Sequence, residues 1–175
     1  MSDSSVPPTA PTTTPGAGAP DQASQGPLLQ TLAQFLKDMS FENPSPLESL
    51  TLNNPNPTVN VNVSVSTRPA QDTIHELAIT LQVHTLSGEK SLFLIELTYC
   101  GLFALVNIPQ DQIEPILRVH CASLLFPFIR NIVSETTRDG GFAPLYLNVI
   151  DFAQLYQQYQ ATGASNGAGQ VTGAV

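Results

Sequence analysis

Residues 116–133 have the sequence ILRVHCASLLFPFIRNIV, and this stretch decides the fold. Residue types that favour burial recur in it at helical spacing over several turns, which predicts one long helix with a broad apolar stripe. Pro127 lies inside the pattern, where it removes one backbone donor and crowds the preceding turn, so we expect a kink. One helix cannot cover this stripe alone, and a sheet should pack on it. The predicted stripe comprises Leu117, His120, Cys121, Leu124, Leu125, Phe128 and Ile132.

Four valines upstream of the helix predict a β-strand. They alternate with asparagine and serine, which is the pattern of a strand with one buried face. Residues 74–86 and 91–99 predict two further strands, and Gly101 is expected to separate the latter from a fourth strand at 102–107. The four valines are Val59, Val61, Val63 and Val65.

Other segments set the connections and the ends of the elements. Residues 67–73 contain Pro69 and form a connection longer than a tight hairpin needs, which allows a Greek-key crossover. Residues 28–41 fit either a short helix or a strand, and both alternatives stay open. The Arg-Asp-Gly-Gly sequence at 138–141 predicts the end of the long helix, and Asp151 predicts the cap of a final one.

The predicted architecture is an α+β fold. A four-stranded antiparallel, Greek-key-like sheet should be covered on one face by the long helix and a short C-terminal helix. This domain spans 28–160, between two segments that we expect to be disordered, a Pro/Thr-rich arm at 1–27 and a Gly/Ala-rich tail at 161–175. The valine and aromatic side chains exceed what one sheet and two helices can bury, which favours oligomerisation.

Composition narrows the classes of function. The chain carries a net charge of −8 and only 11% of its residues are charged, which disfavours nucleic-acid binding and favours a basic partner. The two cysteines have neither disulfide nor metal-ligand spacing, and we find no signal peptide or membrane-spanning run, so we expect a cytoplasmic protein without stable membrane insertion.

Catalytic and cofactor sites are not expected. The sequence contains no phosphate-binding loop, nucleophile elbow or spaced metal-ligand cluster, so we predict no enzyme activity, no cofactor and no metal. His120 and Cys121 are adjacent, but neighbouring helical residues point about a hundred degrees apart, and we expect both to be buried packing residues.

Acidic residues beside apolar ones raise the question of a docking surface. Asp38 and Glu42 are four residues apart and share a side of either a helix or a strand. Glu96 follows Leu94 on a strand face that would otherwise be apolar. These carboxylates are either solvated surface charges or an acidic docking face for a basic partner.

Four segments stand in the order of a known family: KDMSFENP at 37–44, FLIELTYCGLF at 93–103, LLFPFIR at 124–130, and the closing Asp151-Phe152 helix. Through them the chain resembles the SecB family of bacterial protein-export chaperones over about 35–159. Ala122-Ser123, Pro144 and Val149 depart from the family pattern and bear on the geometry of the helix and the loop after it.

The resemblance implies a homotetramer, a dimer of dimers, that holds unfolded preproteins without ATP and hands them to the SecA ATPase. The acidic character of this chain would suit the basic C-terminal tail of SecA. The family positions that contact SecA match Asp38, Glu42, Leu94 and Glu96. Apolar positions of the client groove match Val59, Val61, Val63 and Tyr156, and helical phase alone adds Phe152.

Three other interpretations stay open. A SecB-like chaperone dedicated to one client, as in toxin–antitoxin systems, would show narrow selectivity. A non-catalytic structural oligomer would bind no unfolded chain. A small oligomeric enzyme with a pocket between sheet and helix would turn over a small molecule, although the sequence offers no acid–base pair for it.

Overall fold

The computed structural model describes residues 26–51, 57–162 and 168–171. Five strands form one sheet: β1 (Leu28–Glu42), β2 (Thr58–Gln71), β3 (Ile74–Ser87), β4 (Lys90–Val106) and β5 (Ala168–Val171). The helices are a short one at Pro46–Thr51, the long helix Gln110–Asp139 and the C-terminal helix Phe152–Thr162. The sequence therefore predicted the α+β class, the four-stranded antiparallel sheet and the two main helices correctly. The strands predicted at 91–99 and 102–107 are both parts of β4, and the fourth long strand is β1.

The sheet has the strand order β1-β4-β3-β2-β5, and each neighbouring pair is antiparallel. Short turns join β2, β3 and β4, whereas β1 lies beside β4 and not beside β2. This arrangement is the predicted Greek key. The connection that crosses over is 43–57, which contains the short helix Pro46–Thr51, so the sequence placed the crossover in the wrong segment.

Residues 67–73 belong to a hairpin. β2 pairs with β3 as far as Gln71 opposite Ile74, and only two residues separate the strands. β2 accommodates Pro69 because the register shifts between Pro69 and Gln71, which forms a bulge at the end of the strand. β5 does not pair with this part of β2, so no backbone donor is needed from Pro69 on that edge. The expected crossover at 67–73 is therefore wrong.

β1 resolves the ambiguity of the first segment in favour of a strand. It pairs with β4 from Leu28 opposite Val106 to Glu42 opposite Leu94. Gly101 does not break β4, which runs through it. A Cβ at Gly101 would lie 2.7 Å from Cε2 of the Phe103 side chain, so the residue is small because it is tightly packed.

The core lies between the sheet and the long helix. Side chains from β2, β3 and β4 that are fully buried face this helix, and each buries enough apolar surface to contribute about 1.5–3 kcal/mol. By length and composition the long helix is also apolar enough to cross a membrane, and a core helix that packs on a sheet, as this one does, meets the same criterion. The helical core residues include Leu117, Cys121, Leu125, Ile129 and Val133.

The buried stripe of the long helix differs in phase from the predicted one. His120, Leu124 and Phe128 are exposed, although the sequence placed them in the stripe. The buried side extends to Arg118, Ala122 and Phe126 instead, because the C-terminal helix covers it, with the Phe126 ring against Phe152. A π-helical segment, Ile116–Cys121, replaces the α-helical turn at this point. The helix stays α-helical through Pro127, so the irregular turn precedes the proline at which we expected a kink.

The long helix ends where the Arg-Asp-Gly-Gly sequence predicted. Gly141 has φ = +88°, a left-handed conformation that favours glycine. The buried Thr137 hydroxyl accepts a hydrogen bond from the Leu145 amide at 2.9 Å and so fixes the next segment. Leu145, Leu147 and Ile150 of that extended segment are buried in the core.

Replacing Asp151 by alanine should lower the free energy of unfolding by about 1 kcal/mol. The Asp151 carboxylate accepts hydrogen bonds from the amides of Ala153 at 2.9 Å and Gln154 at 3.0 Å, as the sequence predicted for a helix cap. Urea denaturation measures the change. Gln154→Ala, in the same turn but exposed, is the control and should stay within about 0.5 kcal/mol, and an equal effect of both would argue against the cap.

The structure describes part of the predicted C-terminal tail and almost none of the predicted N-terminal arm. The arm predicted at 1–27 lies almost wholly outside the described residues, which begin at residue 26. Within the tail predicted to be disordered, Ala168–Val171 forms β5 and pairs with β2. The composition of the tail did not indicate this strand, because its alanine and glycine are not strand-forming residues.

Candidate functional site

The four residues predicted to contact SecA lie close together. Glu42 is directly opposite Leu94, and the next pairs along the same two strands place Ser40 opposite Glu96 and Asp38 opposite Thr98. Residues directly opposite each other point to the same face of a sheet. The face that carries Asp38, Glu42, Leu94 and Glu96 is called the acidic face below.

The acidic face lies on the side of the sheet away from the long helix. Ile95 and Leu97, which alternate with its residues along β4, are buried on the helix side. Asp38, Glu42 and Glu96 are exposed, and Leu94 is half-buried. The arrangement is an exposed row of carboxylates with one apolar side chain among them, which a basic and partly apolar partner could contact.

Polar residues of β3 extend the acidic face and orient part of it. Gln82 donates a hydrogen bond from Nε2 to Oε1 of Glu96 at 2.8 Å. The hydroxyls of Thr80 and Thr98 lie 3.1 Å apart, and Nε2 of His84 is 3.0 Å from the Ser91 hydroxyl. These partners follow from the register of β3 against β4.

A buried carboxylate with two cations lies further along the same side of the sheet. Glu76 is 7% exposed and accepts a hydrogen bond from Nη2 of Arg68 at 2.6 Å, while Nζ of Lys37 lies at 3.5 Å. The hydrogen bond from Arg68 holds the pKa of Glu76 below its usual value despite burial. The single carboxylate balances one of the two cations, so this cluster keeps a net charge of about +1, and the unpaired negative charge on this side of the sheet lies on the acidic face.

Glu76→Gln should destabilise the protein at neutral pH by about 1 kcal/mol, a modest amount because the partner cations are largely exposed. Because the folded pKa of Glu76 is lowered, its contribution is present above the ordinary value of 4.5 and is lost as the pH falls through the folded value. Urea denaturation should therefore show a difference at pH 7 that shrinks below pH 4.5. A difference that grows towards acid would contradict this assignment, and Glu89→Gln in an exposed turn is the control.

The predicted client valines, Val59, Val61 and Val63, share the side of β2 that faces the helix. They lie opposite Thr85, Val83 and Leu81 of β3. Val59 and Val63 are buried in the core, and Val61 is half-buried against it. The valine that a partner reaches most directly is therefore Val61.

The two predicted client residues of the C-terminal helix differ in accessibility. Phe152 is buried, with its ring 5.6 Å from that of Phe126. Tyr156 is half-buried, and its ring stacks on Tyr159 at 6.3 Å. A client can contact Tyr156 as the helix lies, whereas contact with Phe152 requires the helix to move.

Arg118 connects the long helix, β2 and the C-terminal helix. Nη1 donates a hydrogen bond to the Val65 carbonyl at 2.6 Å, and Nε donates one to Glu114 at 2.8 Å. The guanidinium also lies 3.8 Å from the centre of the Tyr159 ring. Arg118 was not predicted from the sequence, in which its spacing of four residues from Glu114 was the available signal.

A search of the described residues for metal-binding clusters finds none. Across 26–51, 57–162 and 168–171, no group of three or more His, Cys, Asp or Glu side chains could hold a metal ion. Cys121 is fully buried, and burial raises its pKa to about 12. His120 is exposed, so the prediction of a buried packing role is right for the cysteine and wrong for the histidine.

Comparison with known proteins identifies the family. The family described as "Preprotein translocase subunit SecB" matches residues 22–163. The "Protein-export protein SecB" of a Bradyrhizobium species is 41% identical over 156 residues, which are 89% of this chain and 96% of the relative. The protein of the same name from Maricaulis maris is 38% identical over 158 residues, covering 90% of this chain and 92% of the relative.

A solved structure shares the fold. The SecB-like chaperone of Mycobacterium tuberculosis, in complex with an antitoxin peptide, aligns with a TM-score of 0.56 over 70% of this chain and 90% of its own. Its sequence identity is 14%, far below that of the protein-export relatives. From the family match and these relatives, the chain belongs to the SecB family of non-catalytic protein-export chaperones.

Proposed function

We propose that this chain holds preproteins unfolded in the cytoplasm without ATP and docks on SecA through its acidic face. SecA would contact Asp38, Glu42, Leu94 and Glu96, and its basic C-terminal tail supplies the complementary charge. Clients would bind at the groove of β2 and the C-terminal helix. Family membership supports both classes of partner, preproteins and SecA.

The positions of the acidic face and the client valines support two separate binding sites. The acidic face and the client valines lie on opposite sides of the same sheet, because the acidic residues alternate with the core-facing ones. A client on the valine side therefore leaves the acidic face free. This geometry suits a chaperone that must bind its delivery partner while still holding its cargo.

The groove also suits a client without a fixed sequence. Val61 and Tyr156 present half-buried apolar surface, which stabilises any extended apolar segment by about 25 cal/mol per square ångström removed from water. Such burial does not depend on the order of side chains in the client. Broad selectivity follows, whereas a chaperone dedicated to one client would discriminate between unfolded chains.

Exposed apolar side chains support the proposed tetramer. One group lies on β1, whose outer edge has no neighbouring strand among the described residues, and another lies on the outside of the long helix. Exposed apolar surface of this kind favours association between chains. The exposed residues are Leu32, Phe35 and Leu36 on β1 and Leu124 and Phe128 on the helix.

Simultaneous binding tests the two-site assignment. SecA is titrated into the protein alone and into the protein saturated with reduced, carboxymethylated α-lactalbumin, a chain that stays unfolded without denaturant. The proposal predicts a ternary complex and SecA affinities that agree within about twofold. Mutually exclusive binding would place both partners on one surface and refute the proposal.

A further inference from the structure

The tail of the chain occupies part of the outer edge of β2. β5 pairs antiparallel with β2, from Val61 opposite Val171 to Ser64 opposite Ala168. This stretch includes two of the three client valines, Val61 and Val63. The tail thus forms backbone pairs along the strand that the proposed client groove is built on.

The part of β2 that the tail pairs with is the part with no protection of its own. Charged residues and proline discourage a strand edge from pairing with other chains, and Arg68 and Pro69 provide both near one end of β2. Residues 59–66 have the sequence VNVNVSVS, without charge or proline. Another extended chain could therefore pair here in the same way as β5.

The C-terminal helix directs the tail to this edge. Tyr159, near the end of the helix, lies under Arg118, and Arg118 bonds the carbonyl of Val65. Val65 is the neighbour of Ser64, the position at which β5 begins to pair. Arg118 therefore fixes the helix beside the site that the tail occupies.

We propose that β5 is a built-in occupant of the client site, and that an extended segment of an unfolded client binds by displacing β5 and pairing with β2 in its place. This inference rests on the proposed client site at the β2 valines. Backbone pairing requires an extended chain but no particular sequence, so it selects unfolded proteins as a class. Folded proteins seldom offer a free strand and are not captured.

β5 should be easy to displace from β2. β5 has four residues and includes Gly169, which weakens strands, whereas the uncharged stretch 59–66 of β2 offers eight residues to a longer partner. A client also gains the apolar contacts of the groove. Because a client binds only the sites that β5 has left, its apparent affinity is the intrinsic affinity multiplied by the fraction of open sites. Folded proteins that bind this surface weakly would therefore fail to displace β5.

Two changes to the tail test the proposal in opposite directions. Removing 163–175 should tighten binding of carboxymethylated α-lactalbumin by about three- to tenfold. Gly169→Val, which favours the strand, should weaken it by about fivefold. Gly163→Val makes the same substitution outside β5 and should leave affinity unchanged. Fluorescence anisotropy measures the client affinity of the wild type and the three variants. The truncated protein should fold, because the core residues lie outside 163–175.

Hydrogen exchange separates this inference from the proposed function. Without any client, truncation should speed exchange of amides among 61–64 and leave the amides of β3 protected. Adding client to the truncated protein should restore that protection. If the full chain binds no unfolded protein, the proposed function fails. If it binds clients but truncation changes neither affinity nor exchange at 61–64, the occupant proposal alone is overturned.

Discussion

Val61→Asp should weaken the binding of unfolded clients at least tenfold and leave the affinity for SecA within about twofold. Val61 is the half-buried member of the client valines, and a client that covers it would have to desolvate the new carboxylate. Full burial of an exposed valine contributes about 1.5–3 kcal/mol, and since Val61 is already half-buried, a client adds about half of this, or roughly three- to tenfold in affinity. The cost of desolvating the carboxylate accounts for the rest of the expected loss. Titration of carboxymethylated α-lactalbumin and of SecA, each followed by fluorescence anisotropy, gives the two constants.

The control is Gln71→Asp, which introduces the same group at the exposed end of β2, outside 59–66. Client affinity should be nearly unchanged in that variant. Val61→Ala removes apolar area without charge and should weaken client binding by a smaller factor, so the assignment remains testable if the aspartate variant unfolds. Equal loss of client and SecA binding in a folded Val61→Asp protein would contradict the groove assignment.

Glu96→Lys should weaken SecA binding at least tenfold and leave client holding intact. Glu96 lies between Asp38 and Glu42 in the register of the acidic face, and a lysine there replaces attraction to a basic partner with repulsion. Its neighbour Gln82 is exposed and can turn to water, so the fold should tolerate the change. Titration of SecA at two salt concentrations should show a smaller salt dependence for the variant.

Glu89→Lys is the matched control for this charge reversal. Glu89 is an exposed residue of the turn between β3 and β4, seven residues and roughly 20 Å along the strand from Glu96. Glu89→Lys changes the net charge by the same amount as Glu96→Lys and should change SecA affinity by less than about twofold. Unchanged SecA affinity in Glu96→Lys, or equal weakening in both variants, would refute the acidic-face assignment.

The fold was predictable from the sequence wherever one periodicity dominated. The alternation at Val59 to Val65 has a period of two and gave β2, and Arg138 to Gly141 carry the chemistry of a helix end. The segment at 28–41 fitted both periods, because its state is decided by long-range pairing with β4. Gly101 was misassigned for a related reason, since its small size serves close packing with Phe103.

Other errors arose from features that local patterns do not encode. The C-terminal helix covers the side of the long helix that carries Arg118 and Phe126, a contact that local spacing does not encode, so Leu124 and Phe128 were assigned to the wrong face. The crossover was assigned to 67–73 because Pro69 suggested a break. A bulge at the strand end accommodates that proline instead.

Some residues of the candidate sites could be predicted from the sequence, and others could not. The residues of the acidic face came from the family resemblance, and the register then brought all four together. The tether at Arg118 and the pairing of β5 with β2 depend on contacts between segments 53 and more than 100 residues apart. Neither leaves a periodic pattern in the sequence, and both required coordinates.

The most direct test of the chaperone role follows a slow-folding preprotein diluted from denaturant, without ATP, in the presence of the purified protein. Refolding and aggregation are recorded together with the mass of the complex by light scattering. We predict a particle of four 18.7 kDa chains that delays refolding and suppresses aggregation. A preprotein that refolds and aggregates as it does alone would contradict the role proposed for this chain.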